Sequence, residues 1–115
     1  MFRAIIIAAA LWAGPAWAQQ NSATLPVAGD HTSIATGGVA VVVFAAGAIF
    51  HVGDIQNPPS ATENLCIDIT TTAVCGSGSA FTLQPGGFYR VSGPITTAVS
   101  AVAATTGHAF VAVRY

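Results

Sequence analysis

Charge is what this chain has least of. Only 6 % of its 115 residues are Asp, Glu, Lys or Arg, against about 25 % in an ordinary soluble domain. The basic residues are Arg3, Arg90 and Arg114. They are too few and too scattered to form the basic stripe that displaces counterions from a phosphate backbone, which excludes nucleic acid as a partner. With Arg3 set aside in the leader described below, Arg90 and Arg114 stand against Asp30, Asp54, Glu63 and Asp68, a net of −2. The surface is then built mostly from Thr, Ser, Gly, Ala and Gln. Such a surface repels copies of itself weakly and gives up little charge hydration when covered, so it suits packing against protein, another copy of the chain included.

Helical periodicity is the second absence. Beyond residue 18 no stretch sustains an apolar i, i+3, i+4 pattern with caps, which excludes a helical domain. Long apolar runs are also few. Residues 39–50, VAVVVFAAGAIF, fall short of the roughly twenty residues a bilayer-spanning helix requires, so no membrane span is expected after the leader. The β-branched Val41 to Val43 favour extended backbone, and Ala45-Ala46-Gly47-Ala48 supplies small residues for a turn, so the run reads as a pair of buried strands.

The other apolar run lies at the start. Residues 1–18, MFRAIIIAAALWAGPAWA, have the order of a secretory signal peptide: Arg3, an apolar stretch, a Gly14-Pro15 break and the small-x-small site Ala16-Trp17-Ala18. Cleavage is expected before Gln19, which places the mature chain, residues 19–115, in the periplasm or outside the cell. The remaining 97 of 115 residues make one domain. In that compartment the two cysteines, Cys66 and Cys75, are expected to form a disulfide. Closing a loop of roughly ten residues is worth about 2.5–3 kcal/mol in chain entropy.

What is present is β structure. Short Val/Ile/Thr/Phe-rich runs recur between Gly, Pro and Asn signals, and predict strands at 23–27, 33–36, 39–45, 48–56, 64–69, 79–83, 88–91, 98–103 and 108–115. Tight reversals separate them at Gly29-Asp30, Gly37-Gly38, Asn57-Pro58-Pro59, Gly76-Ser77-Gly78, Pro85-Gly86-Gly87, Gly93-Pro94 and Thr106-Gly107. A single flat sheet of so many strands would leave its apolar faces wet. The expected fold is therefore an all-β, small antiparallel β-sandwich of about eight strands, jelly-roll-like, or a small barrel. In the closing run, alternation puts Ala109, Val111, Val113 and Tyr115 on one face and His108, Phe110, Ala112 and Arg114 on the other. Val111 and Val113 are expected to fill the core.

Catalytic patterns are missing too. No two of His31, His51 and His108 sit at the i, i+2 spacing that would chelate a metal from one strand, so no metal or cofactor is expected. Gly-x-Ser-x-Gly is absent, and Gly76-Ser77-Gly78-Ser79 reads as a flexible loop. Glu63 and Asp68 fall on opposite faces of a regular strand, the wrong geometry for paired catalytic carboxylates. Glu63 reads as a turn residue and Asp68 as a solvent-facing strand residue. The remaining candidates are aromatic. Phe88-Tyr89-Arg90 follows Pro85-Gly86-Gly87, a composition enriched at protein and carbohydrate contacts. Alternation turns one of Phe88 and Tyr89 inward. Either Tyr89 and Arg90 form a surface contact, or a core Phe88 lies beside a packed Tyr89.

At IQNPPSATENLCIDI, LQPGGFYRV and VSAVAATTGHAFVAVRY the chain resembles a loose family of small β-sandwich proteins encoded in tailed-phage and prophage genomes. The likeness runs over residues 39–115. It is carried by Asn57-Pro58, Glu63-Asn64-Leu65, Gly76 to Ala80, Leu83 to Phe88 and Val99 to Phe110. The resemblance implies a β-sandwich with a role in virion structure or decoration. The leader and the cysteine pair depart from that pattern, because a virion assembles in the cytoplasm and needs neither. The functional expectation is an exported, non-catalytic structural or interaction protein, phage-derived or of the cell envelope. The alternative is a monomeric module that binds a small ligand or glycan through its loop ends.

Overall fold

The computed structural model describes residues 26–115. The leader and most of the first expected strand lie outside the described residues. Eight strands and no helix are present among those described: β1 (Val27–Ala28), β2 (Val41–Phe44), β3 (Val52–Gln56), β4 (Leu65–Asp68), β5 (Phe81–Leu83), β6 (Phe88–Ser92), β7 (Val99–Val102) and β8 (Val111–Arg114). They form two antiparallel four-stranded sheets, one in the order β1-β8-β3-β6 and the other β2-β7-β4-β5. Each strand pairs with its counterpart counted from the other end: β1 with β8, β2 with β7, β3 with β6, β4 with β5. This is the connectivity of a jelly roll, in which the chain crosses from sheet to sheet at nearly every turn.

The sandwich forms because β2 to β8 each present an apolar side to the same interior, while both residues of β1 stay exposed. Phe44, Ile34, Ile49, Ile55, Leu65, Ile67, Val43, Val91 and Val99 are fully buried there. The 39–50 run divides at the expected turn but holds only one strand: β2 ends at Phe44, Ala48 N–H donates to Ala45 O at 3.0 Å, Gly47 takes φ 77° at the tip, and beyond it Ile49 makes a single bridge to Ile95 while Phe50 is exposed. Gly53 in β3 leaves room for the core side chains of Ile49 and Phe44, since a Cβ there would lie 2.7 Å from Ile49 Cδ1 and oblige that side chain to shift. The expected strand at 33–36 is reduced to one bridge, Ser33 with Ala109.

The closing strand faces the other way from the sequence expectation. Phe110 and Ala112 are buried in the core, Val111 is exposed and Val113 is half-buried. Both sides of this stretch are apolar, so alternation defines two faces without saying which is inside. The aromatic volume of Phe110 settles it.

The two outer faces differ. On the β2-β7-β4-β5 sheet, Asp68, Ser100 and Val42 form one outward row, and Cys66 and Val102 another. The 69–80 segment folds back over Asp68, Ser100, Cys66 and Val102 and leaves Val42 exposed. Cys66 is bridged to Cys75, and Ala73 packs with Cys66 and Val102 in a second apolar cluster. Asp68 therefore points outward, as alternation requires, and yet is fully buried instead of facing solvent. Among the described residues, no segment is folded over the other sheet in this way.

Candidate functional site

Two regions carry polar or aromatic side chains in positions that bear on function. The first is at one end of the sandwich, where β3 leads into the 58–64 loop and β7 into the 103–110 loop. A cleft of about 300 Å³ lies between these loops, lined by Ser60, Thr62, Glu63, Thr105, Thr106 and His108 among others. Behind it sits Asn57, fully buried at the end of β3. Its Nδ2 donates to Glu63 O and Leu83 O, both at 2.9 Å. The orientation of the amide is thereby fixed, and Oδ1 is left to accept from His108 Nε2 at 2.9 Å. On the other side of the ring, His108 Nδ1 lies 3.1 Å from Glu63 Oε1, which also accepts from Thr105 N–H at 3.1 Å. Burial pushes the Glu63 carboxyl up, but the hydrogen bonds from Thr105 and the charge and hydrogen bond of His108 outweigh it and hold the group below the usual carboxylate range.

This triad does not have the makings of a general base. A catalytic imidazole needs one nitrogen held by a carboxylate and the other free toward the substrate. Here both nitrogens are taken, and the side chain is only 6 % exposed. The arrangement ties two loops together. Sequence reading treated Asn57 as a turn residue and left Glu63 and His108 unpaired, because His108 and Asn57 lie 51 positions apart and no local pattern links them.

The remaining polar residues do not converge. His31 Nδ1 is 2.8 Å from Val42 O, His51 is exposed beside Phe50, and among the described residues no three of His, Cys, Asp and Glu gather as a metal site. Glu63 precedes β4 and Asp68 ends it, and each has its own set of partners.

The second region is the outer face of the β1-β8-β3-β6 sheet. Residues opposite one another in register share a face, so Phe88, Gln56 and Val111 form one row and Arg90, Asp54, Val113 and Ala28 the next. Ser92 and Val52 follow, with Tyr115 N–H donating to Val52 O at 2.9 Å. Tyr89 and Arg90 thus lie on opposite sides of β6. Tyr89 is partly buried against the core and stacks on Phe81 with ring centroids 4.6 Å apart, closing the sandwich between β5 and β6. Phe88 is the outward ring. Arg90 is bidentate to Asp54, Nε to Oδ1 at 2.7 Å and Nη2 to Oδ2 at 2.8 Å, with its guanidinium 5.9 Å from the Phe88 ring centroid.

No family model, curated protein or solved structure matches this chain. Among the described residues no helix is long and apolar enough to cross a membrane.

Proposed function

We propose that this is an exported, non-catalytic structural protein that works by assembling with other protein chains. The observation that carries the reading is the unequal treatment of the two outer faces. One is roofed by the chain's own 69–80 segment, held by a disulfide and by buried hydrogen bonds. The other, among the described residues, keeps Phe88, Val111 and Tyr115 exposed around the Arg90–Asp54 ion pair. Exposed apolar area on a sheet face is unfavourable in water, and here it is interspersed with Gln56 and Arg90, the mixed composition of an interaction surface. The disulfide is compatible with export, and the phage-protein resemblance of residues 39–115 points to the same class of role.

Light scattering on the exported protein over a range of concentrations tests this. The expected result is a mass above that of one chain that falls on dilution. A single-chain mass persisting to millimolar concentration overturns the reading.

The loop-end cleft favours a second reading, a ligand-binding module. Its hydroxyls and carboxylate offer hydrogen bonds to a sugar, but no Phe, Tyr or Trp ring lines it for stacking. A glycan array without hits removes this alternative.

A further inference from the structure

We infer that His108 is held in the fold as an imidazolium and that its contact with Glu63 is a proton-dependent clasp on the loop-end cleft, closed while the ring carries both protons and released when it gives one up. The clasp does not depend on whether the chain assembles.

The protonation state follows from counting donors and acceptors around the ring. Asn57 Nδ2 is committed to two carbonyls, those of Glu63 and Leu83. Oδ1 is therefore the atom that faces His108 Nε2, and it can only accept, so Nε2 carries a hydrogen. A neutral ring with its hydrogen on Nε2 has a bare lone pair on Nδ1. That nitrogen lies 3.1 Å from Glu63 Oε1, which already accepts from Thr105 N–H. Two acceptors at this distance repel each other, so a hydrogen must lie between them. Glu63 is held below the usual carboxylate range and gives its proton up, which leaves the hydrogen on the ring. An imidazolium donates from both nitrogens and satisfies every partner at once.

Glu63 is the ring's ion-pair partner among the described residues. Of the residues lining the cleft, only Glu63 and His108 are ionisable. The other elements against this loop bring no charge to it: β3 ends in Asn57, β5 offers the Leu83 carbonyl, and the 32–34 stretch meets residues 107–110 through its backbone. His31, the next residue of that stretch, turns its Nδ1 to Val42 O instead.

Loss of the ring proton leaves the Asn57 bond intact, because Nε2 keeps its hydrogen, and turns the Glu63 contact from attraction to repulsion. Glu63 Oε1 is the point at which the two loops meet across the cleft. As its side chain swings toward water, Thr105 N–H loses its acceptor and the 103–107 turn loosens. The end of β3 stays in place, held by the backbone bonds of Asn57 with Gly86 and Gly87. The clasp is thus lost in acid as the pH falls through the lowered Glu63 value, and lost at the other end as the pH rises and the ring gives up its proton.

Nuclear magnetic resonance of the purified protein between about pH 5 and pH 8, the range in which histidines change charge, reads both ends of the clasp. Nitrogen-15 spectra report the ring, and amide exchange, corrected for its intrinsic rate at each pH, reports Thr105 N–H. The expected result is two protonated ring nitrogens at the acid end. Thr105 should then open roughly tenfold to a hundredfold more often over the same pH interval in which Nδ1 loses its hydrogen, the worth of one charge-assisted hydrogen bond. In Glu63→Gln the new amide can donate to a bare Nδ1 while its oxygen accepts from Thr105, so the ring should be neutral and Thr105 equally protected throughout. A bare Nδ1 in the folded parent at about pH 5, or Thr105 protection that ignores the ring's charge, overturns the inference. So does a Glu63→Gln protein that keeps the parent's pH dependence. Should that variant not fold, the parent's two titrations decide alone.

Discussion

Asp68 shows how a carboxylate can be buried in a chain with so little charge. Its Oδ1 accepts from Thr70 N–H and Thr70 Oγ1, both at 2.8 Å, and from Thr71 N–H at 2.9 Å, while Oδ2 accepts from Ser79 Oγ. The Ser79 bond is the chief cause of the lowered pKa, burial works against it, and the Thr70 and Thr71 donors complete a depression to about 2. The folded value lies below the ordinary 3.8. Asp68 therefore stabilises the fold fully above about pH 4, and that contribution is lost as the pH falls through about 2. Asp68→Asn replaces an acceptor by an amide donor facing other donors and should cost about 2–3 kcal/mol at pH 5. Urea midpoints for parent and variant should differ at pH 5 and converge toward pH 2. A gap that stays constant with pH would show that the charge of Asp68 is not what holds the segment. Asn57 is the counterpart at the loop end. Asn57→Leu strands the carbonyls of Glu63 and Leu83 and the Nε2–H of His108, with an expected loss of about 2–4 kcal/mol.

The 69–80 segment acts as a strap made by the sequence itself. Ser100 Oγ accepts from Ala73 N–H at 2.8 Å and donates to Thr71 O at 3.0 Å, Thr97 Oγ1 donates to Ile69 O at 2.7 Å, and the Cys66–Cys75 bridge closes it. The Cys66→Ala, Cys75→Ala double variant should remain folded and lose about 2–3 kcal/mol, with faster amide exchange confined to residues 69–80. Uniform loss of protection through both sheets would mean that the strap is integral to the sandwich. The orientation of β8 gives a sharper test: Phe110→Ala should cost about 3–4 kcal/mol in chemical denaturation, and Val111→Ala about 0.5 kcal/mol or less. The reverse order would restore the face that alternation first suggested.

Most strands were legible at this scale because each is a short β-branched run between turn residues. β6 was predicted at 88–91 and runs Phe88–Ser92, and β7 was predicted at 98–103 and runs Val99–Val102. The facing of β8 was not legible, since Phe110 and Val111 offer apolar side chains to both sides. Nor was the burial of Asp68, which depends on a segment folding back across the sheet, or the meeting of Asn57, Glu63 and His108, which depends on pairing between distant strands. Local pattern fixes a strand's period and not its neighbour.

At the scale of the whole molecule, two faces differ: one is covered within the chain, and the other is left open among the described residues and is proposed to be covered by association. The loop-end triad and the disulfide-held strap are both accounted for as structure, so the uncovered sheet is where interaction is expected. Hydroxyl-radical footprinting with mass-spectrometric readout tests this most directly, by comparing the purified protein at an associating concentration with the same protein diluted to single chains. The account predicts that Phe88, Val111 and Tyr115 are oxidised more slowly in the associated sample, while Phe50 and Val42 react equally in both. Equal reactivity of Phe88, Val111 and Tyr115 in the two samples, with protection appearing at Phe50 or Val42, would contradict it.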